Sequence, residues 1–383
     1  MHLIRRKTKF YFSNLVFISN LKFFLNKRQL DQLFFFLFLF LRLFVFFLFC
    51  PIMNLLEDCF KNSRSSQSNE FDEVLLPRQK SKFRPNHIRS WARLVHWTIT
   101  HKYLSIFLIC FCLPLSIYMF LLLFSNTRAF VPQEFQTNQQ KYRLLLVVAH
   151  PDDECLFFSP TLRVLQRQFH VDLSLLVFSR GNHVGLGEIR AKELHGSCQA
   201  LQIPRERCIS LDLANIQDNP KVWWSEKELL PVINEHISNW NINLVVTFDN
   251  QGVSGHVNHR AISYAIRELI EKKNNSLIQM SYELKSVSIL RKYSSILDFY
   301  LTFISYIPRL LRSLFSCLLP FDLISPPDRT SMLLISTPTD YHAARTAFHS
   351  HQTQFSWDRY IYLMASRYMF INELKSIDKT LSS

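Results

Sequence analysis

The chain has 383 residues, room for two domains, and carries 44 Lys and Arg against 30 Asp and Glu. Sixteen basic and six acidic side chains fall within residues 1–100, so most of the formal +14 sits beside apolar N-terminal runs, where cations meet anionic lipid head groups. The near-balanced remainder sets aside nucleic acid as a partner. The eight cysteines (50, 59, 110, 112, 155, 198, 208 and 317) include no CxxC pair, the usage of a reducing compartment, and predict a fold that needs no disulfide.

Residues 1–102 read as a basic region of low complexity. Fourteen of the 35 Phe lie in the first 50 residues without periodicity. The run Leu33–Cys50, interrupted by Arg42, reads as a second span or a signal-like segment, and the same bias raises Met53 as an alternative initiator. Asn62–Asn86, rich in Ser, Gln and charge, reads as a linker. Tyr103–Phe124 then has no charge over 22 residues, enough at about 1.5 Å per residue to cross a hydrocarbon layer of about 30 Å. It shows none of the polar face of a soluble helix, and Pro114 is tolerated in a span. Polar residues 125–141 read as a second linker, with the catalytic domain at 142–383.

From Tyr142 onward apolar runs alternate with helical patterns. The reading is strand Arg143–Ala149, helix Ser159–Phe169, strand Asp172–Ser179, helix Glu188–Leu201, strand Cys208–Leu213, helix Glu226–Asn239, strand Ile242–Phe248 and helix Val257–Lys273. Repeated strand–helix units predict an α/β, Rossmann-like, three-layer fold: a mainly parallel sheet with helices on both faces, preceded by an N-terminal transmembrane helix. Ligands of such sheets sit at the carboxyl ends of the strands, so chemistry is expected in the strand-to-helix loops.

The first strand runs into His150-Pro151-Asp152-Asp153-Glu154, an imidazole and three carboxylates in one turn. A dinucleotide site would have a glycine-rich turn there; this loop offers ligands suited to a divalent cation. A solvated acidic helix cap accounts for one or two of the carboxylates but not for the His. The fourth strand ends in Asp249–Gly255 and then His256-Val-Asn-His259, whose i, i+3 spacing puts both imidazoles on one helical face. Gly252 and Gly255 permit turns that a Cβ would hinder. Together the loops supply His, carboxylate and His, with a position left open for water, the catalytic form of a zinc site. A carboxylate base and a further His, useful for cleaving an amide, are also at hand.

AHPDDE joined to GVSGHVNH resembles the zinc-dependent de-N-acetylase superfamily, which includes the mycothiol-pathway deacetylases. FSRGNHVGLGEIRAKEL, TFDNQGVSGHVNH, SYELKSVSILRKYSSILDFY and HSHQTQFSWDRYIYLMASRYMFINEL further resemble the eukaryotic N-acetylglucosaminyl-phosphatidylinositol de-N-acetylases, over roughly Tyr142 to Leu374. The resemblance implies His150, Asp153 and His259 as ligands of Zn2+, or of iron or cobalt in its place. It implies Asp152 as general base, and His256 as the group that stabilises the oxyanion and protonates the departing amine. Glu154 belongs to the motif without an assigned role beyond a supporting hydrogen bond. Arg180 departs from the pattern, which has a small polar residue there. Arg190 is open between an i, i+3 pair with Glu193 and a contact to substrate phosphate. Tyr300–Pro320, with Arg309 and Arg312 among aromatics and leucines, reads as an interfacial segment or a buried helix.

The function implied is hydrolysis of the acetamide of N-acetylglucosaminyl-phosphatidylinositol, the second step of glycosylphosphatidylinositol-anchor synthesis, at the endoplasmic reticulum membrane. The alternatives are a deacetylase of a soluble N-acetylglucosamine conjugate, for which a membrane helix has no purpose, and a non-catalytic membrane subunit, for which Asp152 and His256 have none. The basic residues before Tyr103 would by themselves direct the domain to the lumen. Family and cysteine usage point to a single-pass protein with a cytoplasmic domain.

Overall fold

The computed structural model describes residues 85–125, 130–136, 141–272, 275–315 and 331–377. The run Leu33–Cys50, Met53 and the first linker up to residue 84 lie outside them. The chain divides into two units, Met1–Ile106 and Phe107–Ser383. Helix α1 (Pro85–Phe107) is followed by a π-helical turn, Leu108–Cys112, and by α2 (Leu113–Phe124). The proline at the head of α2 lacks an N–H and its ring crowds the carbonyl four residues back, which accounts for the widened turn just before it. Within this stretch His96–Phe124, 29 residues, is long and apolar enough to cross a membrane.

The sheet has seven strands: β1 (Arg143–Val148), β2 (Asp172–Val177), β3 (Cys208–Ser210), β4 (Leu244–Phe248), β5 (Met280–Leu284), β6 (Ser331–Ile335) and β7 (Ile371–Ser376), in the order β3-β2-β1-β4-β5-β7-β6. β1 to β5 are parallel, and β7 is antiparallel to both neighbours. The sheet is therefore mixed, parallel through its first five strands. β1 is buried on both faces, as the run RLLLVV requires. Leu144, Leu146 and Val148 enter one core with α3 (Ser159–Phe169), α4 (Gly187–Ala200) and α8 (Pro338–Ser350). Leu145, Val147 and Ala149 enter the other with α5 (Glu226–Asn239) and α6 (Val257–Glu271).

Two features differ from the sequence reading. Residues 125–141, read as a linker, bring Phe130, Val131 and Phe135 into the core, because three large apolar side chains outweigh the polar ones around them. α2 joins the same core: Leu121 is fully buried, and the Tyr118 ring stacks on Phe299 of α7 (Asp298–Phe315) at 5.1 Å. A disulfide joins Cys198, near the end of α4, to Cys208 at the start of β3. The cysteine spacing gave no sign of this pair: the turn after α4 brings the two Cα atoms to 6.4 Å, within disulfide reach.

Candidate metal centre

β1 and β4 are neighbours, paired Leu144 with Leu244, yet the chain leaves β1 toward β2 on one side and leaves β4 toward β5 on the other. Their carboxyl ends therefore flank the point where the strand order reverses, the usual crevice of an open α/β sheet. The loop after β1 carries His150 to Glu154 and the loop after β4 carries Asp249 to His259, so residues about a hundred apart in sequence converge.

Asp153 Oδ2 accepts from the backbone N–H groups of Ala149 (3.1 Å) and His150 (2.8 Å), which leaves Oδ1 facing His259 Nε2 at 3.3 Å. His150 Nδ1 stands 3.6 Å from Asp153 Oδ2, and its Nε2 is 3.1 Å from Asp218 Oδ1. His259 is fixed by stacking on Phe248, ring centroids 4.0 Å apart, and by a contact of 3.1 Å between Nδ1 and the Gly252 carbonyl, which assigns the proton to Nδ1 and turns Nε2 inward. That Nε2 and His256 Nδ1 are buried without a hydrogen-bond partner. Ligand atoms of His150, His256 and His259 lie within 4.8 Å of one another. Two or three imidazoles, a carboxylate oxygen and inward nitrogens lacking a proton partner fit a divalent cation, which would relieve the burial of unpaired polar atoms.

Charge follows the same geometry. Burial would raise the Asp153 carboxyl, but His259 and His150 outweigh it and hold it well below the usual carboxylate range. Burial would lower His150, but hydrogen bonds to Asp153 and Asp218 lift it to about 9. Burial, followed by the charges of His150 and His259, pushes His256 down to about 4. Burial and the Asp153 charge raise Asp152 to about 6, against the pull of Arg190 and Arg359. A carboxylate poised near neutral pH beside a cation site suits a general base.

Glu154, the motif residue without a role, is fully buried. Its Oε2 accepts from the Asp152 N–H at 3.0 Å, while its Oε1 accepts from Ser197 Oγ at 2.5 Å and pairs with His351 Nε2 at 2.8 Å. Glu154 thus holds the backbone of the candidate base, at the unfavourable φ of 119°. Glu154, Cys155 and His351 also lie within metal-binding reach of one another, but the carboxylate is already paired with His351 Nε2 and burial drives the Cys155 thiol well up. Arg190 does not pair with Glu193, which instead accepts from Thr353. It donates to the carbonyls of Gly181 (3.0 Å) and Pro151 (2.7 Å), clamping the first loop. Arg180 pairs with Glu188 and Asp212, outside the centre.

A cavity of about 620 Å3 opens over these residues, lined also by Lys292, Tyr293, Arg359 and Tyr362, a volume ordinary for a small-molecule site. Sequence reasoning missed Asp218, His351, Lys292 and Arg359. The segments SYELKSVSILRKYSSILDFY, which holds Lys292, and HSHQTQFSWDRYIYL, which holds His351 and Arg359, carried a signal only through resemblance, and Asp218 carried none.

The family model described as PIG-L: GlcNAc-PI de-N-acetylase matches residues 145–270. N-acetylglucosaminyl-phosphatidylinositol de-N-acetylase of Bos taurus is 38% identical over 232 residues, covering 61% of this chain and 82% of that protein. The protein of the same name in Saccharomyces cerevisiae is 31% identical over 262 residues, covering 65% and 86%. Among solved structures, N,N'-diacetylchitobiose deacetylase from Pyrococcus horikoshii is 14% identical with a TM-score of 0.39, covering 66% of this chain and 90% of that one. On its sequence relatives, the chain belongs to the N-acetylglucosaminyl-phosphatidylinositol de-N-acetylase family.

Proposed function

We propose that this chain hydrolyses the acetamide of N-acetylglucosaminyl-phosphatidylinositol, releasing acetate and the glucosaminyl lipid, in glycosylphosphatidylinositol-anchor synthesis. The observation that carries the reading is the meeting of the HPDDE loop and the HVNH helix start at the switch point, in a chain whose relatives bear that name. His150, Asp153 and His259 would hold the metal, Zn2+ by the character of the donor set. A cation held there would supply Lewis acidity for the amide carbonyl and for a water. Asp152 takes the proton of the attacking water. His256, neutral at pH 7, donates a hydrogen bond to the developing oxyanion and relays to the departing amine the proton that Asp152 has taken. Lys292 and Arg359, cations on the cavity wall, are placed for the phosphodiester.

The division into an N-terminal region (1–102), a span (103–124), a connecting segment (125–141) and a catalytic domain (142–383) belongs to the same proposal. So does single-pass residence in the endoplasmic reticulum membrane with the domain in the cytoplasm. That orientation rests on family resemblance, since the Cys198–Cys208 bond removes cysteine usage as support. Acetate release is the test. The full chain in vesicles is expected to deacetylate the glycolipid. Turnover of a soluble N-acetylglucosamine conjugate, with none of the lipid, would replace this reading by the soluble-substrate one.

A further inference from the structure

The apolar side chains around the cavity mouth are arranged as no water-facing surface requires. On α9 (Trp357–Ala365), Trp357, Tyr360, Ile361 and Met364 are all exposed and follow i, i+3, i+4, i+7 spacing, while Tyr362 and Leu363 face the core. α7 repeats the pattern. Leu297 just before it, Leu301, Ile304 and Leu311 are exposed along one stripe, opposite buried Phe299, Tyr306 and Leu310. A surface helix has one apolar face, turned inward; these have a second. On the turn Ile289–Lys292, Ile289 and Leu290 are 72% and 82% exposed.

The elements that carry the three stripes adjoin one another. Tyr293, beside that turn, meets Tyr362 of α9 with ring centroids 6.0 Å apart. α7 packs along α2 through Tyr118 with Phe299 and Phe120 with Phe303, and Tyr300 hydrogen-bonds the Ile109 carbonyl. Exposed Phe107, Ile109, Phe111, Leu113 and Leu115 continue the apolar surface up the helix. Tyr293, Trp357 and Ile361 also line the cavity that holds His150 and His259, with Lys292 and Arg359. The acidic residue of this rim, Asp358, is hydrogen-bonded to Ser356.

We propose that this surface seats the catalytic domain on the bilayer leaflet that its own helix enters, with the cavity mouth at the level of the phospholipid head groups. The occupant is lipid rather than a protein partner, because the stripe is continuous with the helix read as the membrane span. A diacyl substrate would then present its sugar to the centre while its acyl chains stay in hydrocarbon. The inference rests on the lipid-substrate reading above.

Two measurements test it on the full chain in phospholipid vesicles. The double variant Leu290→Asn, Met364→Asn alters two exposed side chains outside the cavity lining. It is expected to lower kcat/KM on vesicle-borne glycolipid by about tenfold, with turnover of an acyl-free sugar-inositol phosphate analogue unchanged. Equal losses on both substrates, or none on either, would overturn the docking surface. A wild-type chain inactive on both would instead sink the functional reading. Independently of activity, phospholipids brominated on their acyl chains are expected to quench Trp357, seen as a share of the total quenching that is lost in Trp357→Phe while the share from Trp97 in the apolar helix stays. Identical quenching in the two proteins would overturn the proposal even in an active enzyme.

Discussion

At Asp152 the backbone and the side chain serve the same end. A φ of 119° is unfavourable for a residue with a Cβ, and it persists because Glu154 takes the Asp152 N–H while the Cys155 and Leu156 N–H groups bind its carbonyl. Asp152→Asn keeps the shape and loses the base. It is expected to retain the metal and lose about 100- to 10,000-fold in kcat, read from acetate release alongside metal content. Because the raised carboxyl must be ionised to act, wild-type activity is expected to climb as pH rises through about 6. A bound cation favours the carboxylate and moves that limb lower. The limb should be absent from the pH profile of Asp152→Asn. His351→Ala leaves Glu154 with one donor fewer in a fully buried place. An expected loss of about 1–3 kcal/mol, measured by denaturant unfolding, should come with lower kcat at saturating metal. The five residues read from sequence for the centre were legible because each lies in one of two short loops directly after a strong apolar strand. Asp218 and His351 were not, because they arrive from distant, irregular or C-terminal segments whose local pattern says nothing of where they point.

The elements between Arg143 and Glu271 match the sequence reading to within a few residues, since buried parallel strands and amphipathic helices differ plainly in apolar period. Beyond that point β5 (MSYEL) and β7 (INELKS) carry polar residues among the apolar ones and so lack the unbroken apolar run that marks β1 and β4. α8 was within reach: Thr337 and Asp340 form a capping box with Pro338 at the helix start. The loop after β4 depends on Gly252, at φ +59°, where an added Cβ would stand 2.9 Å from the Cβ of His259. Gly252→Ala is therefore expected to cost about 1–2 kcal/mol and to weaken metal binding by displacing His259, which calorimetric titration of the apo-protein would read. α2 is a wall of the catalytic domain as well as part of the helix proposed as the membrane span. Leu121→Ala is expected to destabilise that domain by about 2–5 kcal/mol, visible as a lower melting temperature of the catalytic unit in detergent.

For the whole molecule, one arrangement ties lipid, metal and fold together. The sheet places two loops at its switch point, the loops bring together the residues proposed to hold a cation, and the helix leading into the domain is itself packed against the domain's core. We propose that deacetylation of a membrane glycolipid is driven by a metal held by His150, Asp153 and His259. The most direct test is acetate release from N-acetylglucosaminyl-phosphatidylinositol by vesicles bearing the full chain, before chelation, after it, and after return of zinc, with His259→Ala in parallel. Activity is expected to be abolished by chelation, restored by zinc, and absent from the variant at every stage. Activity that survives complete removal of metal, or that persists in a folded His259→Ala protein, would contradict it.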